Sequence, residues 1–320
     1  MKRPLTRLLV TRIVFGLGML WAVSILVFFF TQALPGDVAR QILGQNATAE
    51  QVARLRLELG LDKTVVEQYA TWLWSLLQGD LGMSLASGTS VWDLIRGRVV
   101  NSLVLVVITS LITFPLAFYL GTSAARRRGG VTDAIVSGLV LVLLALPGFL
   151  IGVLTVVLFA TNVFRLLPPT SVIDPARAAL LQPSLLVLPV LALVLGCLPY
   201  LTQMVRGTMV EALDSEYVTW ARLYGVSERR VVWWHALRNV AAPSLQVATS
   251  TLVYLVGGIV AVETVFSYPG MGSALVSSVS NRDIPVVQAI TMLIAATTLF
   301  LYVVADVAGI LLTPKVRTSL

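Results

Sequence analysis

One cysteine, Cys197, and one histidine, His235, occur in the 320 residues, and lysine appears only as Lys2, Lys63 and Lys315. A lone cysteine inside an apolar run excludes a disulfide framework and a thiolate metal cluster. A single histidine cannot supply an HExxH zinc site, so residue count excludes a zinc-dependent intramembrane protease. None of the lysines follows the glycine-rich run that cradles nucleotide phosphates, so the chain carries no phosphate-binding loop. Charge is scarce as well: 12% of residues are charged and 57% are hydrophobic, whereas a soluble domain carries about 25% charged residues. Water is therefore not the solvent for most of this chain.

What is abundant is long apolar sequence. Crossing the hydrocarbon core takes about 20 apolar residues, and such runs occur at Ile13–Leu34, Val99–Ala124, Ile135–Phe159, Leu185–Val205, Leu245–Phe266 and Val286–Leu312. All six are predicted to be helices, because a segment in lipid must satisfy its own backbone hydrogen bonds. The first run follows Lys2, Arg3, Arg7 and Arg12, as a secretory signal would. It is too long for a signal core and lacks a small-residue cleavage site, so it is expected to stay as an uncleaved span. Pro115, Pro147, Pro189 and Pro199 fall inside spans and are expected to kink them.

The net charge of +7 is not arranged as a nucleic-acid-binding face. Of the 23 Lys and Arg residues, 14 lie at the N-terminus, in the Arg126–Arg128 turn, between Arg206 and Arg238, and in the C-terminal tail. With six spans these segments share one side, which the positive-inside rule makes the cytoplasm, with both termini there. Residues 35–98 fall outside, giving a division into a cytoplasmic N-terminus and first span (1–34), an extracytoplasmic helical subdomain (35–98), and a transmembrane core (99–320) containing a loop at 206–243. Within the outer segment, Ala49–Leu59 and Val65–Leu77 have helical spacing, with Thr64 a predicted N-cap paired with Glu67. Trp72 and Trp74 there suggest a docking surface.

The loop at 206–243 is too polar to span and too patterned to be a linker. Val210, Leu213, Tyr217 and Ala221 recur at three- and four-residue steps, predicting one amphipathic helix. Gly225 is expected to end that helix in a left-handed conformation, Ser227 to cap the next, and Glu228 to face its positive end. Pro243 is read as the restart into the fifth span. Such a bend can present a rigid wedge to a groove on a soluble partner.

Glu211-Ala212-Leu213, Tyr217-Val218, Ala221-Arg222, Gly225 and His235-Ala236-Leu237-Arg238-Asn239 with Pro243 resemble the EAA coupling loop of binding-protein-dependent ABC permeases. Leu34-Pro35-Gly36-Asp37, Leu59-Gly60-Leu61-Asp62-Lys63, Gly79-Asp80-Leu81-Gly82, Pro269-Gly270-Met271-Gly272 and Arg282-Asp283 narrow the resemblance to the family of the first membrane subunit of dipeptide and oligopeptide importers. The resemblance implies an all-α integral membrane permease in the bacterial inner membrane, surrounded by lipid. Its partners would be a second related permease, two cytoplasmic ATPase subunits and an external substrate-binding protein. It also implies that Glu211, Ala212, Tyr217, Ala221, Arg222, Gly225, His235, Arg238 and Asn239 form the ATPase-coupling site. No cofactor is expected on this chain, ATP and Mg being bound by the partners. Peptides are the implied cargo, with nickel, glutathione or another small solute as the alternatives within the same architecture.

Glu263 and Asp306 lie in or beside apolar spans, where a carboxylate suggests proton coupling, and so a secondary transporter is the rival from another class. A hydrogen bond at the pore mouth for Glu263 and an ion pair within the bundle for Asp306 are the structural readings. The lone His235 is expected to pack rather than catalyse, and Asn46-Ala47-Thr48 is a chance glycosylation match.

Overall fold

A computed structural model describes residues 2–32, 43, 47–58, 62–161, 163–174 and 177–312, with side chains throughout except at 2–9, 55, 58, 238–239, 241–246 and 308–312. The helices are α1 (Lys2–Gln32), α2 (Ala49–Glu58), α3 (Val65–Leu77), α4 (Val91–Arg126), α5 (Val131–Ala145) and α6 (Gly148–Val156). They continue with α7 (Pro183–Leu213), α8 (Glu216–Leu223), α9 (Glu228–Arg230), α10 (Leu237–Val265), α11 (Met271–Ser280) and α12 (Ile284–Leu312). Wide π-helical turns extend α6 over Val157–Thr161 and join α9 to α10 over Val231–Ala236. Among the described residues five helices are long and apolar enough to cross a membrane, and the bent pair α5–α6 makes a sixth when counted as one span.

The third span departs from the expectation of one kinked helix. α5 and α6 meet at 102°. Proline bars its predecessor from the helical region, and Leu146 and Pro147 are both extended, with ψ of 128° and 142°. The Pro147 carbonyl then starts a new helix by accepting from Leu150 and Ile151 at 2.9 and 3.2 Å. Pro115, Pro189 and Pro199, by contrast, are carried inside continuous helices, where packed neighbours tolerate the missing hydrogen bond.

Two spans also run further than hydropathy indicated. α4 has 36 residues and begins at Val91, and α7 has 31 and ends at Leu213, so they reach about 54 and 46 Å. Residues 91–98 are therefore helical and continuous with the second span, and Arg206–Leu213 are continuous with the fourth.

The centre of the bundle is α4 against α7. Thr109, Thr113, Ala117, Gly121 and Ala125 recur every fourth residue on α4, and all are buried. Small residues at that spacing let helix backbones approach closely: a Cβ on Gly121 would lie 2.9 Å from the Thr202 carbonyl oxygen and from Val205. α10 completes this core with Leu255, Ile259 and Val262. α1 packs on α12, where Arg12 pairs with Asp306 at 3.2 Å and Gln288 Nε2 donates to Thr31 at 2.8 Å.

At the end of the bundle away from Arg126–Arg128, α3 lies against α1. Phe28 meets Tyr69 and Trp72 with ring centroids 5.4 and 5.6 Å apart, and Ser24 Oγ lies 2.9 Å from the Tyr69 hydroxyl. Trp72 is thus turned inward and only Trp74 stays exposed, at 64%. The Thr64 and Glu67 capping box forms as expected. Two buried carboxylates organise this end. Glu263 accepts from Ser102 Oγ at 2.5 Å, Gly272 N at 2.6 Å and Ser273 N at 3.1 Å, anchoring the start of the short helix α11. Asp283 accepts from Ser84 Oγ and from the Leu85 and Ala86 amides, tying the 84–86 turn to the start of α12. Leu34–Asp37, Leu59–Leu61 and Thr313–Lys315 lie outside the described residues.

Candidate functional site

The opposite, basic end carries the predicted loop, and its geometry corrects the expectation of one helix from Val210 to Ala221. α7 stops at Leu213 because Ser215 is extended, with ψ 152°, and its Oγ donates to the Ala212 carbonyl at 2.5 Å. α8 is therefore a separate helix at a new angle. Its buried contact is Val218, which packs with Met209, Leu213, Val231, Val232, Ala236 and Val240, and Tyr217 is 41% exposed instead of facing inward.

α8 ends in a Schellman turn, in which the Val226 amide donates to the Ala221 carbonyl at 3.1 Å and the Gly225 amide to that of Arg222 at 2.9 Å. Gly225 has φ +74°, as its position predicted. Ser227 occupies the cap position of α9, but its side chain makes no capping bond. Glu228 turns back and accepts from Arg222 at 2.9 and 3.1 Å, so it closes the elbow rather than facing the helix end. The Arg222 guanidinium holds the Glu228 carboxyl below the usual carboxylate range. The chain then enters α10 without a break, and Pro243 lies inside that helix, not at its start.

The elbow is fastened to the bundle by charge. Arg206 on α7 binds Asp133 on α5 through two bonds of 2.5 and 2.8 Å, and Asp133 also accepts from the Gly129 amide at 3.0 Å. Arg128 pairs with Asp214 at 3.1 Å. Val218 and the π-helical turn pack beneath α8 against Met209 and Leu213 of α7, which in turn meets α4 along the small-residue seam.

The predicted site residues divide between two roles. Ala212, Ala221 and His235 are half-buried supports, and Gly225 shapes the turn. Glu211 and Tyr217 are exposed; Arg222 is half-exposed but holds Glu228. The side chains of Arg238 and Asn239 lie outside the described ones. Sequence reasoning passed over the most prominent surface: Trp220, Leu223 and Tyr224 are 59%, 72% and 82% exposed beside Tyr217. The Trp220 and Tyr224 rings lie 6.3 Å apart, one helical turn from each other. Apolar side chains bare to this degree form a contiguous exposed patch of the kind found at interaction surfaces. Their i, i+4 spacing beyond the end of a span was the available signal.

Residues 117–318 match the family described as binding-protein-dependent transport system inner membrane component, and residues 5–96 match its N-terminal companion. The chain belongs to this family. It is similar to a putative peptide transport system permease of Brucella abortus, with 34% identity over 313 residues, 98% of this chain and 99% of the relative. It is also similar to a probable peptide ABC transporter permease of Sinorhizobium fredii, at 31% over 309 residues, covering 96% and 97% of the two chains. A glutathione transport system permease of Salmonella choleraesuis is 32% identical over 295 residues, covering 92% and 94%. This inner membrane component is accordingly a multi-pass membrane protein and the permease subunit of an ABC importer, a family of transport components rather than enzymes. The proton-coupled rival loses its residues: Glu263 is held by three donors at one end of the bundle, and Asp306 pairs with Arg12.

Proposed function

We propose that this permease conducts peptides delivered by an external binding protein and that its α8–α9 elbow is the seat of a cytoplasmic ATPase subunit. The cargo rests on the likeness to peptide permeases across nearly the whole chain. Glutathione, itself a short peptide, is the second reading, favoured by the Salmonella relative. The pathway is completed by a second, related permease, and two ATPase subunits supply ATP and Mg, so this chain needs no cofactor. The basic end faces the cytoplasm with both termini, and residues 35–98 face outside. The cavity of about 760 Å³ between Asn101, Ile173, Arg177 and Pro269 opens at that outer end.

The carrying observation is the exposed cluster Tyr217, Trp220, Leu223 and Tyr224 on a helix whose other face is locked to the bundle. Closure of the ATPases pushes this cluster, and the Asp133–Arg206 pair passes the push to α5 and α7. Glu211 is a further polar contact at the rim. Changing Trp220 and Tyr224 together to Ala tests the seat, since a central aromatic anchor typically contributes about 2 kcal/mol or more. The double variant is expected to insert normally, lose the copurifying ATPase subunits and stop importing peptide. Full retention of those subunits would place the seat elsewhere.

A further inference from the structure

A second feature of the basic end adjoins the elbow and shares Arg229 with it. A cavity of about 420 Å³ lies between the α4–α5 turn and the α9 segment, with Arg126, Arg127 and Arg229 around it and no carboxylate in its wall. That volume is in the range of ordinary small-ligand sites, roughly 300–1,000 Å³. Among the described residues, no acid lies within ion-pair distance of these three guanidiniums; the nearby Asp133 is paired with Arg206, and Glu228 is paired with Arg222 while feeling the Arg126 charge from farther away. Thr132, in the first turn of the 15-residue α5, also lines the cavity, and the positive end of that helix adds to the same field.

Position selects the anion. Leu120 and Val136, from the ends of two spanning segments, line the cavity on its membrane side, while Tyr119 and Trp233 are the aromatic residues beside it. Aromatic side chains concentrate at the membrane–water boundary, and basic pockets between spans at that level take lipid head groups. A site with cations at one rim and aliphatic side chains at the other fits a molecule with a phosphodiester and acyl chains. We propose that this cavity binds the head group of an anionic phospholipid, which bridges the α4–α5 turn to the segment that joins the elbow to α10.

The bridge would tie the elbow to the bundle through lipid as well as through Arg128 and Asp214. A soluble phosphate has the same charge but no use for Leu120 and Val136. Native mass spectrometry of the full-length chain, purified from its own membrane in mild detergent with its accompanying subunits, tests the proposal. Phosphatidylglycerol is added in one arm, phosphatidylcholine in another, and glycerophosphoglycerol or inorganic phosphate in a third. Phosphatidylglycerol is expected to survive on the wild type and phosphatidylcholine is not. Each guanidinium near the surface contributes about fivefold to binding, so Arg126→Gln with Arg127→Gln, both outside the elbow, should weaken retention by roughly 30-fold and leave the copurifying subunits in place. Equal retention of the two lipids, or unchanged phosphatidylglycerol on the double variant, would overturn the site. Equal binding of the soluble phosphates would overturn its assignment to lipid, and loss of the subunits with phosphatidylglycerol still bound would give the arginines to a protein partner.

Discussion

Gly225→Val tests whether the elbow angle, rather than its surface alone, carries the coupling. Gly225 sits at φ +74°, and a Cβ built there meets nothing within 4 Å, so the substitution creates no clash. Its whole cost is the left-handed backbone, about 1–2 kcal/mol for a residue with a Cβ. Relieving that strain means abandoning the Schellman turn and its 2.9 and 3.1 Å bonds, which moves α9 relative to α8. Such an energy changes a two-state population by about 5- to 30-fold. It is too small to unfold the bundle yet large enough to leave most molecules with the wrong angle. Peptide-stimulated ATPase activity and uptake are measured together in proteoliposomes containing the whole importer. Uptake per ATP is expected to fall by at least fivefold with normal membrane insertion, and Gly225→Asn, which tolerates the left-handed region, should recover much of it. Wild-type coupling in the Val variant, or equal defects in Val and Asn, would refute the argument from backbone conformation.

Further expectations concern the rest of the bundle. Gly121→Val puts a Cβ 2.9 Å from a backbone carbonyl at the α4–α7 crossing, so it should lower thermal stability sharply, whereas Gly138→Val, with open space around it, should not; melting of the purified chain distinguishes them. Glu263→Gln can still accept from Gly272 and Ser273, so uptake should persist and stay insensitive to a protonophore, while Glu263→Ala strands buried amides at about 1–3 kcal/mol. Loss of uptake in a well-folded Gln variant would return a charge-dependent role to Glu263. Because Arg222 lowers the Glu228 pKa, the pair's contribution is complete above the ordinary Glu range and disappears as pH falls through the depressed value. Both side chains are nearly half exposed, which limits the effect to about 1 kcal/mol or less, so elbow stability followed by hydrogen exchange should be flat from pH 6 to 8 and fall only in acid.

Composition and periodicity determined the membrane environment and the spans, because the cost of unpaired backbone in lipid leaves a run of about 20 apolar residues one option. Local chemistry likewise determined the Thr64 cap and the left-handed Gly225, each a matter of a few adjacent residues. Span ends were less legible: hydropathy reports only the part in hydrocarbon, so Val91–Arg98 read as outer subdomain and Arg206–Leu213 as part of the polar segment, although each continues a spanning helix. Propensity also could not separate Pro147, which breaks a span, from Pro189 and Pro199, which do not, since the outcome depends on neighbouring helices. Tertiary structure alone decided the partners of the charges. Asp133 and Arg206 are 73 residues apart in sequence, and Glu228, read as facing the end of its own helix, instead binds Arg222 across the turn at Gly225. The same holds for Trp220 and Tyr224, whose spacing fits a buried stripe as well as an exposed one; only the break at Ser215, which turns Val218 inward, leaves them bare.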